Sequence, residues 1–92
     1  MDRTDILKKA IDIVNGQREQ DYGRPENSFR TIAQLWGIYT GSDFTPQNVA
    51  MMLALVKVAR IASGRHHLDN YVDLGGYASL AGELEEEVAS KS

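Results

Sequence analysis

The chain has 92 residues and no cysteine. That excludes a disulfide framework and a thiolate metal centre, and it is compatible with a reducing compartment. Proline is scarce. Its two occurrences, Pro25 and Pro46, both stand where a helix can begin. No apolar run reaches the length of a membrane span, because Lys57 and Arg60 interrupt the most apolar stretch. The N-terminus, MDRTDILKK, lacks the apolar core of a secretion signal, so none is expected. Nowhere do apolar and polar residues alternate as they do in a half-buried strand. Surplus positive charge is missing too: the net charge is −3. This argues against a general nucleic-acid binder and leaves room only for a local basic pocket. The chain has no internal repeat and no low-complexity tract.

What is present is helical periodicity, four times over. Asp2 or Thr4 can cap a first helix running to about Asn15, with Ile6, Leu7, Ala10, Ile11 and Val14 on one stripe and Gly16 as its stop. Pro25 or Glu26 opens a second, to about Thr40. Phe29, Ile32, Ala33, Trp36 and Tyr39 form its stripe, Leu35 broadens it, and Gly41 ends it. The third takes Thr45 as N-cap and Pro46 as first helical residue, with Gly64 suited to the left-handed position past its end. From Val49 to Ile61 it is apolar on almost every side, so it is expected to be buried or shared between subunits.

Asp69 or Asn70 can cap a fourth helix. Gly75, Gly76 and Gly82 lie inside it, each costing about 1 kcal/mol relative to alanine, and close approach of another helix is the expected compensation. The acidic end, residues 85–92, is expected to fray. The sum is one all-α domain over residues 1–92, a compact four-helix fold whose third and fourth helices form an antiparallel hairpin. A chain this short buries only about 60% of its unfolded surface. A homo-oligomer is therefore expected.

The two cations of the third helix carry the functional question. Lys57 and Arg60 are three residues apart and share one side of it. A buried cation needs a partner. On the fourth helix Asp73 falls on the stripe of Tyr77, Leu80 and Leu84, with Asp69 one turn earlier. One outcome is an internal ion pair of Asp73 with Lys57 or Arg60, a polar layer that sets register. The other makes Lys57, Arg60, Asp69 and Asp73 the walls of a polar pocket, with the cations aimed at a phosphate.

The polar loop at residues 17–25 holds Arg18, Glu19, Asp21, Tyr22 and Arg24, which is dense for a connector. Tyr22 is the candidate to stack on a base, and Arg24 to grip phosphate oxygens. Trp36 and Tyr39 lie in an apolar stripe and are read as core. His66, His67, Asp69 and Asp73 could seed a metal site, without strict ligand spacing. The simpler role for the two histidines is to complement the dipole at a helix C-terminus. There is no nucleophile elbow and no Walker loop. Helical pyrophosphohydrolases resembling MazG hold magnesium on paired E-x-x-E and E-x-x-D motifs. That pair does not occur here, and Asp69 with Asp73 supplies half of such a site.

Four blocks, DYGRPENSF, IAQLWGIYTG, TPQNVAMMLALVKVARI and HLDNYVDLGGYASL, stand in this order between about residues 21 and 83. On them the chain resembles a family of short proteins encoded by tailed phages and prophages, a domain of unknown function. The resemblance implies a phage origin and a setting in the cytoplasm of the infected bacterial host. It implies no reaction and no catalytic residue.

The residues then support one leading reading and two others. The first is capture of an anionic, nucleotide-like ligand by Tyr22, Arg24, Lys57, Arg60, Asp69 and Asp73, without turnover or cofactor. Phage sponges that sequester a host immune signal are the analogy, and analogy is all they supply. The second is a divergent MazG-like pyrophosphohydrolase that needs Mg2+. The third is a phage structural or host-protein-binding module, which a large exposed apolar patch would favour.

Overall fold

The computed structural model describes residues 1–16, 24–64 and 66–91. Among the described residues there are four helices and no strand: α1 (Arg3–Asn15), α2 (Pro25–Thr40), α3 (Pro46–Ala62) and α4 (Leu68–Lys91).

Local chemistry sets most of the ends. The Asp2 carboxylate accepts the Asp5 backbone N–H at 2.9 Å, and the Asp5 carboxylate accepts the Asp2 N–H at 3.2 Å. This reciprocal box supplies acceptors that the first turn of α1 otherwise lacks. Thr45 and Asn48 do the same for α3, both bonds at 3.0 Å. At the C-terminus of α2, Gly41 takes φ +74° and its N–H reaches the Gly37 carbonyl at 2.9 Å. Gly64, at φ +89°, follows the end of α3 in the left-handed position expected for it. The fourth helix departs from expectation at its start. It begins at Leu68, so Asn70 is no cap; it is buried inside the first turn. The same helix continues through the acidic stretch to Lys91.

The hairpin is antiparallel. Near the start of α3, Gln47 donates to Glu85 Oε2 at 2.6 Å and to the Ala81 carbonyl at 3.5 Å, while further along α3 Lys57 meets Asp73, much earlier in α4. Small residues let the two helices close on each other: Val49 and Ala50 are fully buried and Ala54 nearly so, with Val72 and Ala81 buried on α4. The core is completed by Phe29 and Ala33 of α2, with the Phe29 ring tilted against Tyr77 at 6.5 Å. Trp36 lies half-buried, with Phe44 edge-on at 6.0 Å.

Helix α1 packs on α4. A Cβ at Gly75 would lie 3.8 Å from Ala10 Cβ, and one at Gly76 would lie 3.2 Å from Val14 Cγ1. The close approach expected to compensate for glycine is present at Gly76, whereas Gly75 leaves room for an ordinary contact. Gly82 shows none, since a Cβ there would meet nothing within 4 Å.

Two expectations are corrected. Helix α3 is not surrounded: Met51, Met52, Leu55, Val56 and Val58 are 38 to 59% exposed. Only α4 and α2 pack closely against it, and the element that joins the others is α4, in contact with both α3 and α1. The stripe of α2 is also narrower than its spacing suggested. Tyr39 is 92% exposed and Leu35 59%, because the C-terminal half of α2 runs beyond the core. Leu7 and Ile11 on α1 are likewise exposed, leaving Ala10 as the buried residue of that stripe.

Candidate functional site

Of the six residues expected to bind a ligand, the fold brings two together. Lys57 Nζ lies 3.0 Å from Asp73 Oδ2, with the side chains 14% and 31% exposed. Antiparallel packing is what aligns them, one from the C-terminal half of α3 and one from the first two turns of α4. Of the two pairings left open for Asp73, the one with Lys57 is formed.

Arg60, one turn beyond Lys57, is exposed and makes no ion pair with a described residue. It sits in the last turn of α3, where a cation complements the helix dipole. Asp69 is exposed in the first turn of α4, where an anion does the same. Arg24 is exposed at the N-cap of α2. Tyr22, the stacking candidate, lies outside the described residues, as does most of the loop it belongs to.

Nor do the metal candidates assemble. His66 and His67 are exposed in the segment between α3 and α4, and among the described residues no three His, Asp or Glu side chains converge. Asp73 borders a cavity of about 30 Å3 shared with Val14, Phe29, Gly76 and Tyr77. That is about the volume of one water molecule. Small-molecule sites enclose roughly 300–1,000 Å3. Among the described residues, then, the cavity that Asp73 borders is far smaller than a nucleotide site.

A concavity of ligand size lies elsewhere. The C-terminal half of α2 and the turn into α3 form an open groove of about 740 Å3, lined by Arg30, Gln34, Ile38, Ser42, Asp43 and Phe44 among others. Gly37 helps shape it: a Cβ there would meet the Ser42 carbonyl at 3.0 Å, so only glycine lets the turn lie so close against the helix. Ile38, which lines it, is 82% exposed, and its neighbour Tyr39 is 92% exposed, the two most exposed large apolar side chains among the described residues. Reading the stripe of α2 as core hid this surface. The available signal was Gly37 inside a helix, four residues before the Gly41 stop.

Comparison with known proteins agrees with the four sequence blocks. A family described as "Domain of unknown function (DUF6378)" matches residues 5–85. The Gene 55 protein of Mycobacterium phage L5 is 44% identical over 81 residues, 87% of this chain and 52% of its own length. The Gene 55 protein of Mycobacterium phage D29 is 33% identical over 82 residues, 89% of this chain and 54% of its own length. The chain thus spans about half the length of the curated relatives it matches. No solved structure matches it. The chain belongs to this domain-of-unknown-function family and takes its place among phage-encoded proteins, as the resemblance implied.

Proposed function

We propose that this member of the family is a non-catalytic binding module that holds a protein partner with the C-terminal half of α2. One observation carries the reading: Leu35, Ile38 and Tyr39 share one turn of helix and are 59, 82 and 92% exposed, and Ile38 also lines the open groove. A contiguous apolar patch of this kind, rimmed by polar groups, marks an interaction site. Tyrosine and arginine are enriched at protein interfaces. Here Tyr39 offers the apolar body, and Arg30, Gln34 and Asp43 offer a polar rim. A phage structural protein or a host protein are the two kinds of partner.

Photo-crosslinking in infected cells tests it. A crosslinking amino acid at position 39 should capture one dominant protein, and Ile38→Asp should abolish that product. The same crosslinker at Lys8, on exposed α1, should not yield it. Equal products from positions 39 and 8 would overturn the reading.

A second reading rests on Arg60, a guanidinium with no acidic partner among the described residues, one turn from Lys57. It favours capture of an anionic, nucleotide-like ligand without turnover, and so a role in sequestering a host immune signal. Lys57 is already neutralised by Asp73, so Arg60 supplies the free charge. Arg24 and Tyr22, from the loop before α2, remain its proposed companions. Losing one guanidinium contact to phosphate costs about 1.5–3 kcal/mol, roughly ten- to a hundredfold in affinity. Calorimetry of the parent and of Arg60→Ala against linear and cyclic nucleotides decides. Equal heats from the two proteins would remove this reading.

A further inference from the structure

We infer that the outer face of α3 is a self-association surface, on which a second copy of this chain packs its own α3 antiparallel, with the two-fold axis at Leu55. The surface is separate from the α2 patch, so this inference does not depend on the function proposed above.

The first observation is area. The accessible surface is 6671 Å2, whereas a compact monomer of 10.2 kDa should expose about 5,300 Å2. The difference is larger than the roughly 800 Å2 that each partner buries in a standard interface. The α3 face contributes to it through Met51, Met52, Leu55 and Val58, each 38 to 59% exposed.

Spacing is the second. Successive residues of a helix turn by about 100°. Met51, Met52, Leu55, Val58, Ala59 and Ala62 then fall on one side, opposite the buried Val49, Ala50 and Ala54. Within this set Met52, Leu55, Ala59 and Ala62 follow at intervals of three, four and three residues, the pattern of a helix–helix seam. No charge interrupts it. Lys57 and Arg60 stand about 160° and 140° round the helix from Leu55, so two copies can approach without opposing cations.

The seam also chooses its partner's direction. Its large residues, Met51 and Met52, lie toward the N-terminus, and its small ones, Ala59 and Ala62, toward the C-terminus. A parallel second copy would set methionine against methionine and leave alanine facing alanine across a gap. An antiparallel copy centred on Leu55 sets Met51 against the partner's Ala59 and Met52 against the partner's Val58. On either side of the paired Leu55 side chains a methionine thus meets a smaller residue, as close packing favours. The same patch serves both copies, the condition for a two-fold dimer.

Sedimentation equilibrium and thiol crosslinking test this together, and the absence of cysteine makes introduced thiols unambiguous. At micromolar concentration the parent should sediment at twice 10.2 kDa. Leu55→Glu brings two carboxylates together at the axis and should sediment at the monomer mass with unchanged helical circular dichroism. With a short thiol crosslinker, Leu55→Cys should join to itself. Met51→Cys and Ala59→Cys should each stay largely single alone and join when mixed. Should the glutamate variant unfold, the cysteine pairs still decide. A monomeric parent overturns the inference and assigns the face to another partner. Self-joining of Met51→Cys without joining to Ala59→Cys overturns the antiparallel register.

Discussion

On the side of α3 that meets α4, the buried residues are small. Val49, Ala50 and Ala54 are buried there, and two long side chains, Gln47 and Lys57, reach carboxylates of α4 at 2.6 and 3.0 Å. The opposite side carries larger residues, Met51, Met52 and Leu55, beside Val58, Ala59 and Ala62, all open to solvent. Hydropathy barely distinguishes the two faces; size does. Inside the hairpin a small residue lets the axes approach, and a methionine would hold them apart. Outside, no described element of the fold needs a large apolar residue. Two faces equally apolar in composition therefore answer to different demands, the inner one to packing within the chain and the outer one to contact beyond it.

The sharpest way to break this comparison is to charge the inner face. Val49→Asp leaves a carboxylate fully buried without a partner, which costs about 3–5 kcal/mol. That is a large fraction of the stability of so small a domain, so the variant should be largely unfolded by circular dichroism at room temperature. If it melts like the parent, the inner face is not the closed surface described above.

A smaller loss is expected at the ion pair. Both partners keep some contact with water, so Asp73→Ala should cost about 1–2 kcal/mol, below the figure for a fully buried pair. Lys57→Met in that background should recover part of it. A double-mutant cycle isolates the coupling. Zero coupling would make the pair incidental to the register of α3 on α4.

Glycines of α4 extend the comparison to its contact with α1. Gly82→Ala should raise stability by about 0.5–1 kcal/mol, because it improves helix propensity and meets nothing. At Gly76→Ala the added Cβ lies 3.2 Å from Val14 Cγ1, so the same gain should be reduced or reversed. Chemical denaturation of the two variants side by side measures the difference. Equal gains would mean that α1 gives way easily.

The smallest effect belongs to the outer face. In a concentration series extended to high dilution, Leu55→Ser should change the stability of the separated chain by no more than about 0.5 kcal/mol, as for other exposed positions. Its melting temperature should lose the concentration dependence expected of the parent. A loss comparable to that of Val49→Asp would show that both faces serve the same core.

Much of this architecture is legible in the residues. Asp2, Thr45, Gly41 and Gly64 mark helix ends through hydrogen bonds or backbone freedom that involve only near neighbours, and they act where expected. The pairing of Lys57 with Asp73 was one of two anticipated, because each interrupts an apolar stripe and a half-buried charge must find its opposite. The orientation of α3 was not legible. Periodicity yields a direction only when one face differs in polarity from the other, and this helix is apolar on both. Tyr39 and Leu35 misled for a related reason. They keep the spacing of Phe29 and Ala33, but spacing does not say where along its length a helix leaves the core. The groove at Arg30, Gln34 and Asp43 escaped notice because its residues come from a helix end and a turn that meet only in three dimensions.

The sequence by itself determined that this protein is helical, where its first three helices stop, that α3 and α4 fold back on each other, and to which family it belongs. Such features follow from interactions spanning a few residues, or from patterns that survive in the linear order. Tertiary structure alone decided which side of α3 is inside, that Asp73 pairs with Lys57 and not with Arg60, and that the ligand-sized groove opens beside α2. Those outcomes turn on how far each helix reaches over its neighbours, a property of the assembled packing that no local residue preference encodes.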